Sequence, residues 1–249
     1  MDKTRYLQHI QFDGSLKPNV DTLRALHRAH MLTVPFENLS IHSGERIQLN
    51  DEWLFDKIVT RRRGGFCYEL NGLFGWLLRE LGFRVEMLSA RVARSDGGVG
   101  PEFDHMVLRV DLDEPWLVDV GFGDSYLEPL RLNERGEQTD PAGKFRIIEW
   151  GGGLGMQGRV DDQFTTQHVF TLTPHPLSDY EGMCHYHQTS PDSPFTRKIA
   201  CSKATLDGRV TVSANRLIIT DKDAREEHEL RDEIEMHNAL KKFFGITLP

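Results

Sequence analysis

Near the start of the chain, apolar residues recur at helical spacing. Val20, Leu23, Leu26, His27 and Met31 share one face, with Asn19 or Asp21 placed to cap and Pro35 to stop the helix. Leu70, Leu73, Phe74, Leu77, Leu78 and Leu81 then fill the helical template without a miss, and Gly82 stands where a C′ glycine belongs. Beyond Gly82 the pattern changes to period two. Residues 84–91, 105–110, 116–120, 144–150 and 169–173 read as strands, punctuated by Gly and Asp as in Ser95 to Gly100. Arg197 to Lys203 and Arg209 to Thr220 are strand-like again. A helix is expected from about Ala224 to Phe244, opening on Glu226 and Glu227 and closing on Lys241 and Lys242 before Gly245. The order is packed helices, then a run of strands suited to an antiparallel sheet or barrel, then a smaller mixed unit.

The 249 residues suffice for one large domain or two to three small ones, and 39% apolar with 27% charged residues is globular usage rather than disorder. Thirty Lys plus Arg against 38 Asp plus Glu leave a formal charge of −8, with Arg61 to Arg63 as the one basic cluster, which argues against a nucleic-acid-binding surface. No stretch approaches the roughly 18 apolar residues of a membrane span, and the N-terminus has no apolar leader, so a cytoplasmic protein without membrane partners is expected. Cys67, Cys184 and Cys201 form no C-x-x-C pair and suggest neither a disulfide framework nor a zinc cage. The run Cys184-His185-Tyr186-His187 has metal-ligand residue types, but its spacing is too tight for the usual zinc patterns and fits an alternating strand. Gly151-Gly152-Gly153-Leu154-Gly155 lacks the Lys and the strand-to-helix context of a phosphate loop, and reads as a turn.

Cys67 lies in Arg63-Gly64-Gly65-Phe66-Cys67-Tyr68-Glu69-Leu70-Asn71, directly before the best helix of the sequence. In that first turn, unpaired N–H groups and the positive end of the dipole favour thiolate over thiol, which a sulfur nucleophile needs. The two glycines allow a tight approach and leave room for a ligand. Cys67 also shares a face with Leu70 and Phe74, so a core-filling role is the competing interpretation.

Two strand segments supply partners for such a thiol: His105-Met106-Val107-Leu108-Arg109-Val110 and Trp116-Leu117-Val118-Asp119-Val120-Gly121, with Asp111 to Pro115 as the turn between them. An odd-length loop or a bulge puts His105 and Asp119 on one face. A two-residue loop at Leu112-Asp113 puts them on opposite faces. Asp119 is either a buried carboxylate that needs a partner or an exposed residue of an edge strand.

Pro35-Phe36-Glu37-Asn38-Leu39, Arg63-Gly64-Gly65-Phe66-Cys67-Tyr68-Glu69-Leu70-Asn71-Gly72 and Asp119-Val120-Gly121-Phe122-Gly123 resemble, in order and at similar separations, the motifs of the arylamine N-acetyltransferases. The resemblance covers most of the chain. It implies an α+β multi-domain fold with a cysteine-protease-like triad: an N-terminal helical bundle over residues 1–82 carrying the nucleophile, a central antiparallel β-barrel over 83–185 carrying His and Asp, and a C-terminal α/β lid over 186–249. It further implies Cys67 as nucleophile, His105 as its proton partner, Asp119 as the orienting carboxylate, and acetyl-CoA as acyl donor to an arylamine or arylhydrazine. No metal is expected. Phe36, Phe66 and Phe122 match aromatic positions near the family's thiol and would make an apolar slot for a flat ring, with Phe195 a looser match or an ordinary core residue. Gly100-Pro101-Glu102-Phe103-Asp104 departs from the small or hydroxyl residues that relatives often carry before the histidine, so that cofactor contact is in doubt.

The implied mechanism is ping-pong: the thiolate attacks the thioester, CoA leaves, and the amine attacks acetyl-Cys67. Backbone N–H groups at the helix start would hold the oxyanion. A cysteine hydrolase of transglutaminase or protease type shares the triad, an amide synthase acting on polyketide chains belongs among the family's relatives, and a silent binding protein is the third alternative.

Overall fold

The computed structural model describes residues 1–222 and 224–248. The N-terminal third is helical: α1 (Lys3–His9), α2 (Val20–Thr33), the two-residue strand β1 (Phe36–Glu37), α3 (Leu39–His42), α4 (Asp51–Phe55) running into a π-helical turn at Asp56–Thr60, and α5 (Cys67–Glu80). Asn19 caps α2 by accepting the Thr22 N–H, and the helix ends just before Pro35. Every residue of α5 from Cys67 to Leu78 is buried, and Gly82 just beyond it takes φ +90°, the conformation a C′ glycine supplies. A helix enclosed on all sides must find partners for its polar residues, here Glu69 and Asn71.

Eight antiparallel strands follow: β2 (Arg84–Val92), β3 (His105–Asp111), β4 (Pro115–Val118), β5 (Leu130–Arg131), β6 (Gln138–Asp140), β7 (Gly143–Trp150), β8 (Gly153–Val160) and β9 (Gln163–Pro174). Their order is β5-β4-β3-β2-β9-β8-β7-β6. Side chains stitch the two edges together. Gln138 accepts the Arg131 N–H at 2.8 Å and donates to the Arg131 carbonyl at 3.0 Å, while Asp140 accepts the N–H groups of Leu127 and Glu128. The sheet is therefore a nearly closed barrel.

The strands alternate as period two requires. Leu88, Val107, Leu117, Ile147, Met156 and Phe170 fill the interior. Met106, Leu108, Val110 and Val118 face outward and pack on Leu70, Leu73, Phe74 and Leu77 of α5.

After a 3-10 turn at Leu177–Tyr180 come α6 (Glu181–Thr189), α7 (Pro194–Arg197), β10 (Ala200–Ala204), β11 (Gly208–Ser213), β12 (Arg216–Asp221), β13 (Ala224–Glu229), α8 (Glu233–Ala239) and a closing turn at Leu240–Phe244. The second sheet runs β1-β10-β11-β12-β13, so β1 of the helical third completes the last one. The α+β order of helices, barrel and α/β unit expected from the sequence is the one observed.

Three local readings change. Cys184 to His187 lie in helix α6, not a strand, with Cys184 and His187 on its buried face. The expected helix from Ala224 begins as the edge strand β13, all of it exposed, and becomes helical only at Glu233. Of the glycine run, only Gly151 and Gly152 turn, at positive φ, while Gly153 to Gly155 open β8.

Candidate active site

The approach to Cys67 is set by close backbone packing. Phe36 bridges Gly65, and the Glu37 N–H donates to the Gly65 carbonyl at 2.8 Å. A Cβ on Gly64 would strike the Pro35 carbonyl, and one on Gly65 would lie 2.7 Å from the Glu69 side chain. Both positions therefore need glycine. Beneath them lies a buried ionic cluster. Lys57 Nζ is 2.7 Å from Glu69 and 3.7 Å from Glu37, and Arg63 meets Glu37 at 2.9 Å. The second oxygens of the two carboxylates accept backbone N–H groups, Phe66 on Glu69 at 3.0 Å and Leu39 on Glu37 at 2.6 Å. Burial pushes Glu69 up to about 7 against the pull of Lys57. The conspicuous sequence blocks around Glu37 and Arg63 are thus the two halves of one buried mount for the start of α5.

Cys67 is the first residue of α5 and is buried. Burial pushes its thiol well above the ordinary value, the Asp119 charge adds to this, and the Met106 backbone N–H pulls the other way. The sulfur lies against the backbone of the strand residue next to His105. A Cβ on Gly121 would stand 2.8 Å from the Cys67 Cα, so the loop after Asp119 also presses on Cys67.

The hairpin register decides where His105 and Asp119 point. Asp111 pairs with Pro115 and Leu108 with Val118 across the three-residue loop Leu112-Asp113-Glu114. That odd loop puts His105 and Asp119 on the same face, diagonal to each other, with the parity of Val107 and Leu117 that fill the barrel. His105 Nε2 and Asp119 Oδ2 are 2.7 Å apart. Asp119 is fully buried. Its other oxygen accepts from Asn71 Nδ2 and from the Gly121 N–H, each at 2.8 Å. Burial works to raise this carboxylate, yet the His105 and His168 imidazoles and Asn71 hold it below its ordinary value. The edge-strand alternative for Asp119 is excluded.

His168 of β9 shares this end of the barrel. Its ring lies 5.3 Å from that of His105, is fully buried, and has no hydrogen-bond partner at either nitrogen among the described residues. Ligand atoms of His105, Asp119 and His168 fall within 4.8 Å of one another, residue types that could hold a divalent metal, although the His105–Asp119 bond already engages two of them. On the outer side of Asp119, neutral His27 of α2 donates its Nδ1–H to the Leu127 carbonyl at 2.8 Å, which leaves Nε2 to accept the Asp119 N–H at 3.4 Å.

The four aromatics divide. Phe66, Phe36 and Phe195 form one cluster, with Phe195 5.7 Å from Phe66 and 6.1 Å from Phe36 between ring centres. Phe122 lies apart, edge-on to His105 at 5.3 Å. Gly123, at φ +91°, lets the loop turn against the Phe36 ring. Arg209 of β11 ties that loop to the last sheet, donating to the Gly123 carbonyl and pairing with Asp124 at 2.9 Å.

A family model described as N-acetyltransferase matches residues 19–249. The arylamine N-acetyltransferase of Mycolicibacterium smegmatis is 36% identical, covering all of this chain and 93% of that protein. The chain belongs to the arylamine N-acetyltransferase family. It is an acyltransferase. The pineal gland isozyme NAT-3 of Gallus gallus is 35% identical over all of the chain and 95% of its own length. The solved structure of the Mycobacterium marinum arylamine N-acetyltransferase in complex with CoA superposes with a TM-score of 0.93 at 35% identity, covering 98% of this chain and 93% of that one.

Asn71, His27 and His168 carry no assignment in the sequence, and Asp104 and His187 stand there only inside the segment of a doubtful cofactor contact and the metal-type run Cys184 to His187. Asn71 had a signal, since it lies one helical turn beyond Cys67 on a helix whose buried positions are mostly apolar. His27 and His168 had none, because their neighbours come from distant strands and helices.

Proposed function

We propose that this arylamine N-acetyltransferase family member transfers an acetyl group from acetyl-CoA to arylamines or arylhydrazines by a ping-pong route through acetyl-Cys67. The observation that carries the reading is the junction of Cys67 with the His105–Asp119 pair: the buried sulfur at the start of α5 lies against Met106, while Asp119 takes His105 Nε2 at 2.7 Å. That bond leaves Nδ1 of His105 as the nitrogen available to the thiol.

In this scheme His105 removes the Cys67 proton and Asp119 stabilises the imidazolium that results, which supplies the counter-charge a buried thiolate needs. The thiolate attacks the acetyl carbonyl and expels CoA. An amine held among Phe36, Phe66 and Phe195 then attacks acetyl-Cys67 and regenerates the thiol. N–H groups of the first turn of α5, that of Cys67 included, serve the oxyanion. Use of a CoA thioester as donor agrees with the CoA complex of the Mycobacterium marinum relative. Among the described residues, no helix is long and apolar enough to cross a membrane. A cytoplasmic setting and the handling of foreign amines are further parts of the proposal.

The test is intact-protein mass spectrometry after mixing with acetyl-CoA and no acceptor. One acetyl adduct on the wild type and none on Cys67→Ala, discharged by an added arylamine, is the expected outcome. Release of acetate without an amine would instead point to the hydrolase alternative, and absence of any adduct would remove acetyl-CoA as donor.

A further inference from the structure

Beside the aromatic cluster lies a polar pair to which the acetyl-transfer scheme assigns no role. Asp104 immediately precedes His105, and His187 of α6 sits among the slot aromatics. Its ring is 5.0 Å from Phe195 and 6.5 Å from Phe66, edge-on to both, and stacks on Tyr68 at 6.1 Å. The pair therefore lies beside the residues next to both His105 and Cys67. His187 Nε2 is 3.4 Å from Asp104 Oδ1 but off the line of a hydrogen bond, so this buried nitrogen has no hydrogen-bond partner among the described residues.

The opposite nitrogen meets a hydroxyl. Ser193 Oγ lies 3.1 Å from His187 Nδ1 and accepts the Phe195 N–H. Its own hydrogen is free for Nδ1, and donation there places a ring proton on Nε2, facing Asp104. The carboxylate itself is weakly held. Its second oxygen accepts the Val92 N–H at 3.3 Å, and both of its contacts are longer than a good charge-assisted bond. No Lys or Arg pairs with it among the described residues, and 16% of its side-chain surface is open. Gly100 makes room for it, since a Cβ there would strike the carboxylate.

We propose that Asp104 and His187 form an acceptor-selecting subsite in the otherwise aromatic slot. It favours arylamines and arylhydrazines that carry a cation or a second N–H donor, and it disfavours those that carry a carboxylate. The inference rests on the acetyl-transfer reading above. An incoming N–H completes the bonds that Asp104 lacks, whereas a ligand carboxylate meets a like charge in a partly desolvated place.

The test loads the enzyme with acetyl-CoA and follows discharge of acetyl-Cys67 by 4-aminobenzamidine, 4-aminobenzamide and 4-aminobenzoate and their 3-substituted isomers. Expected is a cation-over-anion ratio in the wild type that exceeds that of Asp104→Asn by about tenfold, with Asp104→Thr behaving like Asp104→Asn. Ring substituents also alter amine nucleophilicity, but that effect does not respond to salt. The wild-type ratio must therefore shrink several-fold between low and 1 M ionic strength. A ratio indifferent to salt in the wild type overturns the proposal even if neither variant folds, as does an equal ratio in wild type and variants. If the wild type forms no acetyl adduct at all, it is the acetyl-transfer reading that falls, and this inference with it.

Discussion

Asn71 places the Asp119 carboxylate: its Nδ2 donates to Asp119 Oδ1 at 2.8 Å and to the Met106 carbonyl at 2.7 Å, while its Oδ1 accepts the Val120 N–H at 2.9 Å. The helix that carries the sulfur thus grips the strand residue next to His105 and the segment after β4. A single side chain one turn along α5 holds the geometry of the proposed triad.

Replacing the carboxylate tests its proposed role. Asp119→Asn keeps the shape but removes the charge that stabilises a His105 imidazolium, and an amide that turns its NH₂ toward Nε2 imposes the wrong tautomer. Acetyl-Cys67 formation, timed by quenched-flow mass spectrometry, should slow by roughly 10²- to 10⁴-fold. A rate within about threefold of the wild type would remove Asp119 from the mechanism.

Gly121→Ala attacks the same geometry from the other side. Its Cβ would press within 2.7 Å of Asn71 Nδ2 and 2.8 Å of the Cys67 Cα, so either the loop or the start of α5 must shift. A displacement of this order costs about 10²-fold in a positioned reaction, so adduct formation should fall by that factor. Near wild-type kinetics with unchanged thermal stability would show that the loop can yield.

How much of this was legible follows from where each residue finds its partners. Helix α5 could be read because its apolar positions, its glycine stop and its Cys-bearing start are all local. The His105–Asp119 pairing could be stated only as a choice, since it turned on one loop residue, and Glu114 in the loop settled it. Strand β8 was passed over because Gly153, Gly155 and Gly158 empty its pattern. The structure needs small residues there, where a Cβ at Gly153 would meet the Phe170 carbonyl at 2.5 Å. Edge strand β13 carries no strand signal for a related reason. Its residues Arg225 to Glu229 are exposed on both faces, so no alternation appears, and charges across the ladder such as Arg216–Glu227 at 3.4 Å serve in its place. The Glu37–Lys57–Glu69–Arg63 cluster was invisible as a unit, although three of its members stand inside the family motifs.

That cluster makes a stability prediction. Lys57 is the only cation touching Glu69 among the described residues, and Lys57, Glu69 and Glu37 are all fully buried. Lys57→Met leaves a buried carboxylate without its counter-ion, a change that costs about 3–5 kcal/mol. Lys57→Met with Glu69→Gln should recover part of the loss, because a glutamine oxygen can still accept the Phe66 N–H. Urea denaturation of the wild type, the single and the double variant measures this. A single-variant loss below about 1 kcal/mol would show that Glu69 is protonated in the native state and needs no cation.

Buried histidines set the acid limit. Burial lowers His27 to about 4, His168 to about 3 and His9 to about 4, and holds His30 well below its ordinary value. Above pH 6.5 these rings are neutral folded or unfolded and contribute no slope. As pH falls from 6.5 toward 4, the unfolded chain takes up protons that the folded state refuses, so native stability drops by up to about 1.4 kcal/mol per pH unit for each ring. Glu69 works in the opposite direction between 4.5 and about 7, because its folded form takes the proton first, but it is one group against several. The melting temperature should therefore fall steadily from pH 6.5 to 4.5. His168→Phe should remove part of that slope, since His168 spends no hydrogen bond on either nitrogen and lies 5.4 Å from Phe122 and 5.8 Å from Phe170. Thermal unfolding across this range in wild type and variant decides the matter. A flat wild-type profile would mean the rings gain protons in the fold, and an unchanged slope in the variant would mean His168 is already protonated beside Asp119.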